Sequence, residues 1–403
     1  MASTSAQASF FVPSFEIERR IRCAQDTFSQ NGFDAGLLFQ NLDRFYYSGT
    51  MQPGVLFLPA EEEPLLLIRK NLERAAEESS LGAIRPLGSL SGLGTILIEN
   101  GYAVPQTLGL ELDILPAQLY IQLQNIFPSA RLLDASIALR RCRMIKSEWE
   151  IENLVRAADV AAGLMGQVRE ILHAGMTELE LAGLLEAFLR REGHQGYIRT
   201  RGFNMEVFYG HILSGPEGTR ASYIDSPSGG LGIGPAFCQG AGFKELRAHE
   251  PISIDYCGCF NGYIVDQTRM VSIGEPAPAV RKAFEAMREV QEILKSRTLP
   301  GITGTEVYDW ALEEAARLGY RDTFMGSGPS KAAYVGHGVG LELDELPLIA
   351  EKFDWPLEEN MVLALEPKVI LPEHGLVGIE NTYLLTPGGL EPLTRAPEDF
   401  LLL

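Results

Sequence analysis

Short apolar runs separated by turn residues characterise the first third of the chain. From Ser14 to about Leu139, the runs GLLFQ, GVLFLPA, PLLLIRK and TLGLEL are each bounded by turn residues, which predicts strands. A stretch with helical spacing that ends in a glycine precedes the first run, and further helical stretches lie between the runs. The alternation predicts an α/β domain over 14–143.

A long amphipathic stretch follows and predicts a second domain over 144–403. Ser147 is the predicted N-cap of its first helix. At the other end of the chain, residues 1–13 are predicted to be a disordered lead-in. They are not expected to be a signal peptide, because no basic segment is followed by a long apolar core.

The second domain contains a weak internal repeat. A helix end, a glycine turn and a second helix begin at Val168 and again at Val290. In the first copy, Thr177 and Glu180 form a predicted capping box. Two unrelated amphipathic helix pairs could look equally similar. However, each copy is followed by an apolar strand pair that carries two acidic residues, which predicts two half-domains around a pseudo-twofold axis.

The first strand pair has a strong hairpin signal. Asn261 and Gly262 stand between two strand-like runs, a combination typical of a two-residue hairpin turn. The register then pairs Asp255 with Thr268 and places Asp255 and Asp266 on one face, with Cα atoms roughly 7–8 Å apart. Two buried carboxylates this close require a counter-cation or a shared proton.

The second strand pair leads to the same expectation. If PEHG is its loop, Glu366 falls opposite Glu380. The four carboxylates of the two hairpins then need roughly four positive charges. No cluster of lysines or arginines nearby is expected to supply them, so a pair of divalent metal ions is the predicted counter-charge.

His337 supplies a further ligand type. It stands between two glycines in GHGVGL, which lets the backbone bring a neutral imidazole close to a metal. One histidine and four carboxylates suit manganese, cobalt, iron or zinc. Taken singly, an acidic pair beside a hairpin is usually solvated and a Gly-His-Gly is usually a turn. Four acidic residues within apolar runs of one domain favour the metal site.

The composition of the chain excludes some classes of binding partner. The chain has 403 residues, with 34 basic against 53 acidic residues and a net charge of −19. This charge disfavours binding to nucleic acid or to an anionic membrane surface. The sequence has no apolar run long enough to span a membrane. Five cysteines without a CxxC pair predict reduced thiols and a cytoplasmic location.

The motifs together resemble those of the pita-bread metallopeptidases. IDYCGCFNGYIVDQTR, GHGVGL, LALEP and GIEN follow the order and spacing of that family over about 145–403. NLDRFYYSGT is similar to a segment of the accessory domain found in aminopeptidase P, prolidase and the metal-free relative creatinase. The resemblance implies an α+β protein: a pita-bread domain with a pseudo-twofold axis and an antiparallel sheet with helices on one face, preceded by a smaller α/β creatinase-like domain.

The resemblance also implies an activity. Two divalent ions would hold a bridging hydroxide as the nucleophile, Glu366 would shuttle protons, and the substrate would be a short peptide, including Xaa-Pro dipeptides. A homodimer is expected. The implied metal ligands are Asp255, Asp266, His337, Glu366 and Glu380.

Three positions depart from the family pattern. Ser222 and Asp344 stand where this branch carries substrate-binding histidines, and Gly378 stands where an arginine is common. His211 is a candidate substitute for the missing histidines. Two other functions stay open at this point: hydrolysis of a C–N bond in another small amide, as in creatinase, and peptide binding without catalysis.

Overall fold

The computed structural model describes residues 10–403 and divides the chain after Arg143. Of the predicted lead-in, residues 1–9 lie outside the described part. Val12 is buried, and Pro13 immediately precedes the first helix. Within the described residues, no helix combines the length and the hydropathy needed to cross a membrane.

The N-terminal unit is a six-stranded sheet with helices between its strands. The sheet has the order β4-β3-β2-β1-β5-β6, in which β1 runs antiparallel to β2 and parallel to β5. The four predicted strands are β1, β2, β3 and β5. The strands are β1 Ala35–Leu38, β2 Gly54–Pro59, β3 Leu65–Ile68, β4 Ile84–Pro86, β5 Thr107–Leu110 and β6 Arg131–Asp134, and the helices are α1 Ser14–Asn31, α2 Asn41–Ser48, α3 Leu72–Glu78, α4 Leu93–Glu99, α5 Ala117–Ile126 and α6 Ser136–Cys142.

The C-terminal unit has two sheets of four and five strands and two β-hairpins. Their orders are β19-β11-β8-β7 and β13-β12-β14-β17-β18, and the hairpins are β9–β10 and β15–β16. The helices are α7 Glu148–Ile171, α8 Glu178–Arg191, α9 Pro278–Arg297 and α10 Gly304–Arg317, and the strands are β7 Gly210–Ser214, β8 Ile252–Tyr256, β9 Gly258–Phe260, β10 Tyr263–Val265, β11 Thr268–Ser272, β12 Tyr334–Gly338, β13 Glu345–Ala350, β14 Val362–Leu365, β15 Lys368–Leu371, β16 Gly375–Gly378, β17 Asn381–Thr386, β18 Gly389–Pro392 and β19 Leu401–Leu402.

This unit consists of two similar halves. The helix pair α7–α8 precedes β8, the hairpin β9–β10 and β11, and the pair α9–α10 precedes β14, the hairpin β15–β16 and β17. In both halves the second helix begins with a capping box, at Thr177 with Glu180 and at Thr303 with Glu306. The predicted N-cap Ser147 also forms a capping box. The predicted fold class is confirmed.

Each half has its own apolar core. In the first half, residues of α7 and α8 such as Leu164 and Leu185 pack with Ile254 of β8. In the second half, Met287 of α9 and Val307 of α10 pack with strand residues in the same way. Of the four predicted acidic residues, Asp255 lies within β8, whereas Asp266, Glu366 and Glu380 lie in the short gaps between consecutive strands.

The buried His194, which follows α8, is expected to make the free energy of unfolding depend on pH. The ring is buried and stacks on Tyr209 with centroids 4.6 Å apart, and its Nδ1 accepts a hydrogen bond from the Gly196 backbone N–H. Burial, assisted by the positive charge of Arg190, lowers the pKa of His194 from 6.5 to about 4. Between these pH values the unfolded chain binds a proton that the folded chain does not bind.

Stability is therefore expected to fall as pH drops from 6.5 towards 4, by on the order of 3 kcal/mol from this residue. Carboxylates titrate over the same range, so the quantity to measure is the difference between wild type and His194→Gln in urea unfolding at several pH values. Glutamine can still accept from the Gly196 N–H but does not titrate. Parallel pH profiles for the two proteins would contradict the prediction.

Candidate metal centre

The first hairpin forms in the predicted register. Asn261 and Gly262 occupy the turn with positive φ values of 48° and 85°. Phe260 pairs with Tyr263, and further along Asp255 pairs with Thr268. The residue pairing predicted from the Asn-Gly turn is therefore confirmed, both next to the turn and at the far end of the strand pair.

The second hairpin also has the expected register. Leu365 pairs with Asn381 before the hairpin, and Lys368 pairs with Gly378 at its base. This sets Glu366 opposite Glu380, as predicted. The two halves meet here, because the Thr268 hydroxyl donates to Glu380 Oε2 at 2.8 Å and a β-bridge joins the same two residues.

The predicted ligands line one cavity in the C-terminal unit. Three of them come closest together: one ligand atom each of Asp266, His337 and Glu380 lies within 4.8 Å of the others, and all three residues are buried. Strands from both halves contribute to this group. The predicted ligands that line the cavity are Asp255, Asp266, His337, Glu366 and Glu380.

The His337 ring is oriented by its neighbours. Its Nδ1 lies 3.2 Å from the carbonyl oxygen of Gly338, and Tyr334 packs edge-on against the ring at 5.6 Å. Its Nε2 faces Glu366 Oε1 at 3.8 Å. A proton on Nδ1 donated to the Gly338 carbonyl leaves the Nε2 lone pair directed into the cavity, the arrangement of a metal-ligating histidine.

A lysine that the sequence analysis missed lies among the carboxylates. Lys368 Nζ donates to Asp255 Oδ2 at 2.9 Å, to Glu366 Oε2 at 2.8 Å and to Glu380 Oε2 at 2.8 Å. The prediction from the sequence excluded a cluster of basic residues here and did not consider a single lysine. The missed signal was the alternation of side chains along a strand, which places Lys368 on the same face as Glu366 two residues earlier.

The lysine divides the site into two electrostatic environments. Burial alone would raise the pKa of Asp255, but the ammonium group of Lys368, together with His211, outweighs it and lowers that pKa. Burial, reinforced by the carboxylates of Glu380 and Asp255, raises the pKa of Asp266 well above its ordinary value. Burial raises the pKa of Glu366 to about 7. The carboxylate of Asp255 is thus paired with the Lys368 ammonium group, whereas the carboxyl group of Asp266 has no such direct partner.

The side of the cavity around Asp266 fits a divalent cation. Glu380 Oε1 is buried and has no hydrogen-bond partner among the described residues. An acceptor left in this state is costly, and a cation would satisfy it. With a histidine nitrogen and carboxylate oxygens, Asp266, His337 and Glu380 provide donor types that suit zinc, manganese, iron or cobalt.

The remaining predicted residues differ in their positions. His211 lines the cavity and pairs with Asp255 across β7 and β8, and burial lowers the pKa of its ring. Asp344 lies at the edge of the cavity with 31% of its side chain exposed, 3.9 Å from His337. The Ser222 hydroxyl donates to Gln239 Oε1 at 2.9 Å and is not among the groups lining the cavity.

A second cavity of apolar character adjoins the first and was not predicted. Val207, Gly210, His211 and Ile224 line both cavities. The second cavity continues past Glu186, which accepts from the Tyr256 hydroxyl at 3.5 Å and whose pKa burial raises to about 7. Its other apolar lining residues include Leu179, Ala182, Phe208, Ile233, Phe237 and Ala241.

Comparison with known proteins agrees with this site. Residues 152–387 match the model of metallopeptidase family M24, and residues 20–145 match the creatinase/prolidase N-terminal domain. The first match covers more than half of the chain, so the protein belongs to metallopeptidase family M24. The predicted family and the predicted class of enzyme, a metallopeptidase, are confirmed.

Individual relatives extend over both units. An Xaa-Pro dipeptidase of Pyrococcus furiosus is 26% identical over 92% of this chain and 96% of its own length. The prolidase structure from Pyrococcus horikoshii is 25% identical, with a TM-score of 0.79 over 95% of this chain and 99% of that one. The structure of an Xaa-Pro dipeptidase from Bacillus anthracis, 24% identical, shares the fold with a TM-score of 0.81 over 96% of this chain and all of that one.

Proposed function

We propose that the protein is a metal-dependent peptidase that hydrolyses short peptides with a free amino group, Xaa-Pro dipeptides among them. The convergence of Asp266, His337 and Glu380 in one buried cavity of a family M24 chain carries this proposal. The Xaa-Pro dipeptidases among its relatives support the substrate class. The ligand group argues against a metal-free amide hydrolase and against a protein that only binds peptides.

The proton transfers are assigned to Glu366. A divalent ion at Asp266, His337 and Glu380 would polarise the scissile carbonyl and make water more acidic. Glu366 Oε2 is held by Lys368, while Oε1 faces the cavity next to His337 Nε2. With a metal ion bound there, Oε1 would be placed to accept a proton from the attacking water and to return it to the leaving amine.

Asp344 is assigned to the substrate's amino group. It is a partly exposed acidic group in the cavity lining, 3.9 Å from His337. A carboxylate in this position can pair with an ammonium group on the residue before the scissile bond. Hydrogen bonds to charged groups contribute about 1.5–3 kcal/mol, which corresponds to roughly 10–150-fold in binding.

The adjoining apolar cavity is assigned to a substrate side chain. It opens from the metal cavity through the shared residues Val207, Gly210 and Ile224. A large apolar side chain next to the scissile bond would be removed from water there, which contributes about 1.5–3 kcal/mol. We therefore propose a preference for leucine or phenylalanine over glycine beside the scissile bond.

The identity of the metal, the oligomeric state and the cellular location are also proposals. The donor set is compatible with manganese, cobalt, iron or zinc, and two ions per chain is the number that the family resemblance implies. A homodimer and a cytoplasmic location are likewise proposed. Light scattering of the purified protein tests the dimer.

A dipeptide panel tests the proposed function. Leu-Pro, Phe-Pro, Leu-Leu, Gly-Pro and N-acetyl-Leu-Pro are assayed with manganese or cobalt and after chelation, with creatine as a test of the small-amide alternative. We expect metal-dependent cleavage of the free-amine peptides and at least roughly tenfold lower kcat/KM for the acetylated one. Asp344→Asn is expected to remove most of this difference. Turnover of creatine alone, or no turnover of any peptide, would contradict the proposal.

A further inference from the structure

The Lys368 ammonium group has three carboxylate partners. Its Nζ makes short hydrogen bonds of 2.8–2.9 Å to oxygens of Asp255, Glu366 and Glu380. An ammonium group has three protons to donate, so these three bonds use its full capacity. The group therefore fulfils the role of a cation bound by three acidic ligands.

A metal ion at the same place would need the same oxygens. Divalent ions such as zinc bind carboxylate oxygens at about 2.0–2.2 Å. An ion at that distance from Asp255 Oδ2, Glu366 Oε2 and Glu380 Oε2 would overlap the ammonium group that already contacts all three. Lys368 and a metal ion thus compete for one position.

The lysine is built into this position by its backbone and its stem. Its carbonyl oxygen accepts a hydrogen bond from the Met325 N–H at 2.8 Å, and only 3% of its side chain is exposed. The stem passes over Gly378 on the paired strand, where an added Cβ would lie 2.5 Å from Lys368 Cγ. The same Cβ would lie 2.7 Å from the Pro367 carbonyl oxygen, so both the lysine stem and the backbone beside it leave no room for a side chain at 378.

The ligand atoms on the side of the cavity away from Lys368 remain free to bind a metal ion. His337 Nε2, Asp266 and Glu380 Oε1 are not bonded to the lysine, and Glu380 contributes one oxygen to each side. The four carboxylates then face one ammonium and one divalent ion, which together offset three of their four negative charges. The site is close to neutral without a second ion.

We propose that Lys368 takes the place of one of the two metal ions of a dinuclear centre, so that each chain binds a single divalent cation at Asp266, His337 and Glu380. Two ions do not fit the residues present, whereas one ion does. This inference rests on the proposed function for its site, and it replaces the dinuclear centre with one metal ion beside a covalently tethered cation.

Metal stoichiometry tests this inference independently of turnover. The full-length protein is stripped with chelator, reconstituted with manganese, cobalt or zinc in turn, dialysed, and analysed by inductively coupled plasma mass spectrometry. Wild type is expected to bind about one ion per chain. Zero or two ions per chain in wild type would overturn the inference.

Lys368→Ala opens the second position and leaves its carboxylates without a cation, so it is expected to bind about two ions per chain. Lys244→Ala is the matched control, because Lys244 is also buried and bonded to a carboxylate, that of Glu250, away from the cavity. The control is expected to keep one ion. A single ion in Lys368→Ala would show that the ammonium group does not occupy a metal position.

If Lys368→Ala does not fold, electron paramagnetic resonance of manganese-loaded wild type decides the question. A magnetically isolated Mn²⁺ signal supports one ion, and the signal of a spin-coupled pair overturns the inference. The proposed function fails separately: one bound ion without hydrolysis of any peptide contradicts the peptidase proposal alone, and two bound ions with hydrolysis contradict only the single-ion inference.

Discussion

Replacing Asp266 with alanine is expected to lower kcat/KM by on the order of 10³ or more and to lower metal content in the same samples. Asp266 is one of three buried residues whose ligand atoms converge. Its pKa is raised by burial and by neighbouring carboxylates, which shows that the metal-free site disfavours its charge. Its removal costs the hydrogen bond that Asp266 Oδ1 accepts from the Gln267 N–H at 2.8 Å but also removes this disfavoured charge, so the stability of the metal-free protein is expected to change little.

Three measurements on one preparation distinguish loss of metal from loss of fold: metal content, peptide turnover and urea unfolding after chelation. Asp309→Ala, on the exposed surface of α10, is the control and is expected to leave all three unchanged. Full metal retention in Asp266→Ala would remove this residue from the ligand set. A collapse of metal-free stability would assign it a structural role instead.

Replacing Arg269 with methionine is expected to destabilise the C-terminal unit by about 3–5 kcal/mol. The guanidinium group is buried and donates to the Glu380 carbonyl at 2.7 Å, to Asn381 Oδ1 at 2.7 Å, and to the carbonyl groups of Ala396 and Pro397 at 2.9 Å each. Methionine fills part of the volume but leaves these acceptors without their donor.

Arg281→Met is the matched comparison, because Arg281 is partly exposed, pairs with Glu275 and lies 4.8 Å above the centroid of the Phe400 ring. A pair of this kind contributes about 1 kcal/mol or less. Urea unfolding of both variants measures the difference. Equal stabilities would mean that the Arg269 contacts are replaced by water in the variant. Since Arg269 holds the backbone of Glu380, metal affinity is also expected to fall in Arg269→Met.

The sequence predicted the register of the site because two local rules determine it. Asn261-Gly262 defines a two-residue turn, and alternation along the strands then places Asp255 and Asp266 together. Applied to the second half, the same rule set Glu366 opposite Glu380. That rule also places Lys368 beside Glu366, but a single basic residue within an apolar stretch is a much weaker signal of positive charge than a cluster of lysines or arginines.

Other features carry weaker signals in the sequence. The strands β4 and β6 were not predicted, because they lie at the sheet edges and their half-buried or exposed residues do not form a clear apolar run. The apolar cavity was missed for a different reason. Much of its wall, including Ile233, Phe237 and Ala241, comes from irregular chain between β7 and β8, where side-chain direction follows no period.

The division of the site between two halves has a consequence during synthesis on the ribosome. Asp255 and Asp266 emerge with the first half, whereas Lys368 and Glu380 come more than a hundred residues later. At about 5–20 residues per second, the nascent first half exists for some seconds with its two aspartates paired to no cation of the later segment. Because both halves supply residues of the proposed metal site, an ion is expected to bind there only after translation of the second half is nearly complete.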